Sequence, residues 1–161
     1  MAETPEPIVV VGLQSGHLAA VVDVAAQMAR RSNASLVCVT IDPSSLSDGT
    51  PSDGSEMIEA IDPDAGGSIP QGLSEADVAA VQDLAARSHV EVEHLTRVGD
   101  PARVLASVAE ERHAEVIVVG TRTGRHRVAD FYNGSVAARL THQQHRPVLV
   151  VPTDPVGFDD P

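Results

Sequence analysis

Two rhythms of apolar residues run along the chain. Short continuous runs rich in Ile and Val, at Ile8 to Val11, Ala34 to Ile41, Val116 to Val119 and Val148 to Val151, predict strands with both faces covered. Between them, apolar residues recur at helical spacing. One set is Leu18, Val21, Val22, Ala25, Met28 and Ala29, with Asp23, Gln27, Arg30 and Arg31 toward the outer side. The other sets are Val78, Val81, Leu84 and Ala85; Val104, Leu105, Val108 and Ala109; and Val136, Ala137 and Leu140. His89 to Val98 alternates instead, Val90 and Val92 against Glu91 and Glu93, which fits a half-exposed edge strand. Ser74 followed by Glu75 and Asp77, and Asp100 followed by Pro101, are helix starts with capping side chains. Strands alternating with helices in this way imply a parallel sheet with right-handed crossovers.

One stretch breaks the rhythm. Asp42 to Leu73 is rich in Ser, Pro, Asp and Gly and holds no sustained periodicity, so it reads as a mobile insertion. The expected organisation is a single domain over 7–152 with 42–73 inserted in it, and flexible tails at 1–6 and 153–161. A chain of 161 residues suits one domain with a sizeable core.

Charge and composition then remove several function classes. All 11 basic residues are arginine, against 23 acidic ones, for a formal charge of −12. Without lysine there is no Walker-type phosphate loop and no lysine-based covalent chemistry. So acidic a balance argues against nucleic acid as the main partner. Cys38 is the one cysteine, set in the apolar run Leu36 to Val39, and is expected to be a buried, inert thiol. Met1 to Pro7 is polar and acidic, without the basic and apolar regions of a secretory signal. No run approaches the ~20 apolar residues that span a bilayer. The expected location is the cytoplasm, with no membrane partner.

The stretch that carries chemistry runs from Val119 to Val136. Gly120, Gly124 and Gly134 punctuate it, with Arg122, Arg125, His126 and Arg127 between. Asn133-Gly134-Ser135 is read as the opening of the last helix. Unpaired amides and the positive dipole end of that helix favour an anion, and three arginines within six residues add positive field. The competing reading is a solvated turn whose arginines offset neighbouring carboxylates. His142 and His145 are spaced to share a helix face, yet no third zinc ligand accompanies them. Ser135 stands outside any Gly-x-Ser-x-Gly nucleophile pattern. No paired carboxylates announce hydrolysis.

The spacing Gly124-x9-Gly134-Ser135, followed by a helix and then His-Arg-Pro-Val-Leu-Val-Val from His145, resembles the universal stress protein family. Its nucleotide-binding members carry Gly-x2-Gly-x9-Gly-Ser/Thr at this place. The resemblance covers roughly 7–41 and 74–152. It implies a flavodoxin-like, Rossmann-like three-layer α/β sandwich: five parallel strands in the order 3-2-1-4-5, with helices on both faces. It also implies ATP or AMP as ligand, with Mg²⁺ as an accompanying ion, and Gly120, Gly124, Gly134, Ser135 and Val136 lining phosphates and ribose. Val119, Arg122, Arg125 and Arg127 would stand beside them, Thr40 near the base, and Gly12, Leu13 and Gln14 across the crevice.

Two positions depart from the family pattern. Three residues rather than two separate Gly120 from Gly124. The first strand ends with Gln14 where binding members usually carry Asp, so a hydrogen-bonding side chain without charge occupies the place. The family also covers its last strand by antiparallel pairing with a second copy, which implies a homodimer through 148–151. Three functions therefore stand open: an adenine-nucleotide-binding stress regulator, a dimeric interaction module with a degenerate pocket, and a weak phosphohydrolase.

Overall fold

The computed structural model describes residues 5–14, 18–42, 72–121 and 130–153. Its strands are β1 (Ile8–Leu13), β2 (Ser35–Asp42), β3 (Val92–Val98), β4 (Val116–Thr121) and β5 (Val148–Pro152). Its helices are α1 (Leu18–Ser32), α2 (Glu75–Arg87), α3 (Pro101–Glu111) and α4 (Asp130–Gln143). The strands form one sheet in the order β3-β2-β1-β4-β5, every pairing parallel, as the alternation of elements and the resemblance together predicted.

The reason lies in the central strand. Val9, Val10 and Val11 are wholly buried, and successive side chains of a strand point to opposite faces. Val9 and Val11 pack with Val21, Val22 and Ala25 of α1 and Val81 of α2. Val10 packs with Val104, Leu105 and Val108 of α3 and Leu140 of α4. One strand therefore feeds two cores, and each fully buried valine contributes on the order of 1.5–3 kcal/mol. Alanine-rich faces on α1 let that helix lie close, with Ala25, Ala26 and Ala29 fully buried.

The predicted caps hold. The Ser74 hydroxyl accepts from the Asp77 amide at 3.1 Å, and the Asp100 carboxylate accepts from the Arg103 amide at 3.0 Å, with Pro101 behind it. β3 is shorter than the alternation suggested, since Val90 closes α2 by donating to the Ala85 carbonyl at 3.0 Å before the strand begins. The insertion read over 42–73 lies outside the described residues for 43–71. Its flanks are regular, with Asp42 closing β2 and Leu73 packed against the α1/α2 core.

Candidate functional site

The register of the sheet opens a crevice at one point. β1 pairs with β4 at Val9–Val116, Val10–Ile117 and Val11–Val118, and there the pairing stops. β1 goes on beside β2 as far as Leu13–Thr40, while β4 goes on beside β5 as far as Thr121–Pro152. The two middle strands thus part over their last residues, with Gly12, Leu13 and Gln14 on one side and Val119, Gly120 and Thr121 on the other. This is the carboxyl rim at the reversal of strand order, the place where open α/β sheets hold their ligands.

The residues singled out from the sequence meet different surroundings here. Leu13, Val119 and Val136 are buried in the two cores, so only their main chains are left for a ligand. Gly12 and Gly120 prove to be packing positions. A Cβ at Gly12 would lie 2.9 Å from Leu105 Cδ1, and one at Gly120 would lie 2.8 Å from both Val21 Cγ2 and Thr153 Cγ2. Their bare Cα atoms admit neighbouring side chains, and what they offer a ligand is again main chain. Gln14 is exposed at the tip of β1, and Thr40 is half-buried beside Leu13, on the side of β1 away from β4. Arg122, Gly124, Arg125 and Arg127 lie outside the described residues, as does His126.

The last helix begins earlier than its sequence suggested. α4 opens at Asp130, not at Asn133-Gly134-Ser135. An Asn-Gly pair reads as a break, but a helical glycine costs only about 1 kcal/mol. The amides without helical partners are therefore those of the first turn, 130–133. Gly134 and Ser135 fall in the second turn, where amides of a regular helix bond to carbonyls four residues back. The positive end of α4 thus lies one turn earlier in the chain than the sequence suggested.

Two features of this rim had no sequence signal. Thr153, expected to begin a flexible tail, is pinned to β4: its amide donates to the Thr121 carbonyl at 2.9 Å and its hydroxyl donates to the same oxygen. Asp100 binds Arg139 at 2.5 Å, tying the start of α3 to α4. Burial would raise the Asp100 carboxyl, but the hydrogen bonds from Arg139 and the Arg103 amide, with both guanidinium charges, hold it below its ordinary value. A shallow groove of about 320 Å³ lies between α3 and α4, lined by Ala102, Arg103, Ala106, Arg139 and Leu140. It is a seam between helices, away from the crevice.

Elsewhere, burial pushes the Cys38 thiol up to about 12, so it is unreactive at neutral pH. Among the described residues no three His, Cys, Asp or Glu side chains are placed to hold a metal ion. No described helix is long and apolar enough to cross a membrane.

A five-stranded parallel sheet with helices on both faces and a crevice at its switch point defines a flavodoxin-like α/β domain. The sequence model of the universal stress protein family matches residues 6–152, and the chain belongs to that family. A universal stress protein solved in complex with cAMP is 26% identical, covers 94% of this chain and 100% of its own, and superposes with a TM-score of 0.62. A universal stress protein from Archaeoglobus fulgidus, solved with dAMP, is 20% identical over 91% of this chain and 97% of its own, at a TM-score of 0.52. A member of the family from Burkholderia pseudomallei is 22% identical over 93% and 98%, also at 0.52. Below 25% identity, these last two speak for the fold alone. Among curated proteins no match was found.

Proposed function

We propose that this protein binds an adenine nucleotide, ATP or AMP, in the crevice between the tips of β1 and β4, and acts as a nucleotide-responsive stress regulator. The observation that carries this reading is the parting of β1 from β4 after Val11 and Val118, which leaves space at the switch point with the positive end of α4 beyond it. The family relative with cAMP supports an adenine ring and a phosphate as the ligand class. On this reading Gln14 and Thr40 meet the base and ribose, main chain at Gly12, Leu13, Val119 and Gly120 lines the crevice, and the first turn of α4 takes phosphate. Arg122, Arg125 and Arg127, with Gly124, Gly134, Ser135 and Val136, complete the site. Mg²⁺, if present, arrives with ATP as its counter-ion.

The β5 edge supports a homodimer: Val150 is 38% exposed, and Val148 and Leu149 are only half-buried. Sedimentation giving only monomer at tens of micromolar would count against it.

Calorimetry on nucleotide-stripped protein with ATP, AMP and cyclic AMP tests the ligand. Saturable heat is expected, weakened at least roughly tenfold in Gly134→Asp, where a carboxylate enters the second turn of α4. A second reading is favoured by the uncharged Gln14 and by the packing role of Gly12 and Gly120. It makes the domain a dimeric interaction module with an idle pocket. Absence of heat with all three nucleotides at millimolar concentration decides for it.

A further inference from the structure

The β4 wall of the crevice is held from one side only. After Val118 the strand has lost β1, so Val119, Gly120 and Thr121 keep a sheet partner only in β5. One further attachment lies just past the end of β5. Thr153 donates to the Thr121 carbonyl twice, through its amide at 2.9 Å and through its hydroxyl. A carbonyl oxygen has two lone pairs, and one residue takes both. The methyl of the same side chain covers the bare face of Gly120, where a Cβ would meet Thr153 Cγ2 at 2.8 Å.

We infer that Thr153 is a positioning residue for the crevice: through its hydroxyl it fixes the Thr121 carbonyl, and so holds the last residues of β4, Gly120 and Thr121, in place as the crevice wall. Among the described residues, β1 pairs with β4 no further than Val118. The hydroxyl carries the role, because it takes the second lone pair of the Thr121 carbonyl, while the methyl adds packing against Gly120. The effect on affinity comes from pre-organisation, since a wall that must be ordered on binding subtracts from the interaction energy. The inference rests on the nucleotide reading given above, but one of its measurements does not.

The test compares wild type with Thr153→Val, which keeps the branched shape and a methyl but no hydroxyl, and Thr153→Ser, which keeps the hydroxyl. AMP binding by calorimetry is expected to weaken roughly threefold to tenfold in Thr153→Val. In Thr153→Ser it should stay within about twofold of wild type, with both variants melting cooperatively. Affinity of Thr153→Val equal to wild type, or Thr153→Ser as weak as Thr153→Val, overturns the inference. A purely structural staple would lower melting temperature without that hydroxyl-dependent rescue. Hydrogen exchange of the residue 153 amide, read by NMR without ligand, gives the independent measure. It should quicken on the order of fivefold or more in Thr153→Val, with Val10 and Ile117 unchanged. Unaltered exchange at 153 overturns the inference too. Should wild type take up no adenine nucleotide, the nucleotide reading fails and the exchange result alone decides.

Discussion

At the amino rim of the sheet, where helices hand the chain back to strands, the turns are closed by repeated and redundant bonds. At the carboxyl rim β1 and β4 part after Val11 and Val118, and the side-chain bonds of the described residues there include the caps of Ser74 and Asp100 and the Thr153–Thr121 bond. Three amino-rim turns share one construction: a left-handed residue, Asn33, His89 or His113, follows α1, α2 or α3. The next amide then reaches back five residues, Ala34 to Ala29 at 2.8 Å, Val90 to Ala85 at 3.0 Å and Ala114 to Ala109 at 2.8 Å. Each of those following residues is buried. The fourth turn uses the Gln144 amide as substitute backbone, donating to the Leu140 and Arg146 carbonyls and accepting from the Arg146 amide. Arg112 adds a two-pronged bond to Glu93 at the start of β3. The amino-rim turns are thus closed by the chain's own amides, while the carboxyl rim is where β1 and β4 separate.

The comparison breaks hardest at Arg146. Its guanidinium is 13% exposed, donates through Nε to the Ala114 carbonyl at 2.8 Å and pairs with Glu110, so it joins the α3–β4 and α4–β5 turns. Glu110 is mostly exposed, and that ion pair contributes little on its own. The bond to Ala114 matters more, because its loss strands a buried carbonyl. Arg146→Met is expected to cost about 2 kcal/mol in chemical denaturation, with nucleotide affinity unchanged. If affinity instead falls in step with stability, the two rims form one cooperative unit.

Asp100 sharpens the contrast from the carboxyl rim, where it pairs with Arg139. A carboxyl held below its ordinary value gives stability that is fully present above the unfolded value of about 3.9 and is lost as pH falls through the folded value. Asn at this position can still cap α3 but carries no charge. Asp100→Asn should therefore cost about 1 kcal/mol at pH 7, after discounting for partial exposure. The difference should shrink toward zero once the pH has fallen through the folded value. Equal stability of the two proteins at pH 7, or a gap that persists in acid, contradicts the assignment.

How much of this was legible in the residues varies with the physics involved. Strands of Ile and Val, the helical stripe of α1 and the caps at Ser74 and Asp100 are local patterns, and the fold follows from them with the family resemblance supplying strand order. The crevice was legible as a place, because order and glycine loop pointed to the same rim. The start of α4 was not, because Asn133-Gly134 carries a turn signal that a helix can absorb for about 1 kcal/mol. The glycines misled in another way: absence of a side chain does not say whether a ligand or a neighbour's methyl fills the space, and at Gly12 and Gly120 the neighbours do. Thr153 was out of reach, since its bond to Thr121 joins residues 32 apart in sequence with no spacing rule to link them.

The mildest test goes back to the amino rim, to a residue whose conformation its type disfavours. His89 has φ 56, is exposed, and closes α2 through its main chain, donating to the Ala86 carbonyl at 3.1 Å. A left-handed conformation costs an ordinary L-residue on the order of 1–2 kcal/mol, and glycine escapes most of that. Glycine also gains freedom in the unfolded chain, which takes back roughly 0.4–1 kcal/mol. His89→Gly should then stabilise the protein by about 0.5 kcal/mol, while His89→Val, β-branched and poorly suited to that region, should destabilise it. Urea denaturation of the pair reads the sign. A destabilised His89→Gly would mean that the imidazole makes contacts beyond its backbone, and that the repeated turn is held by more than the chain's own amides.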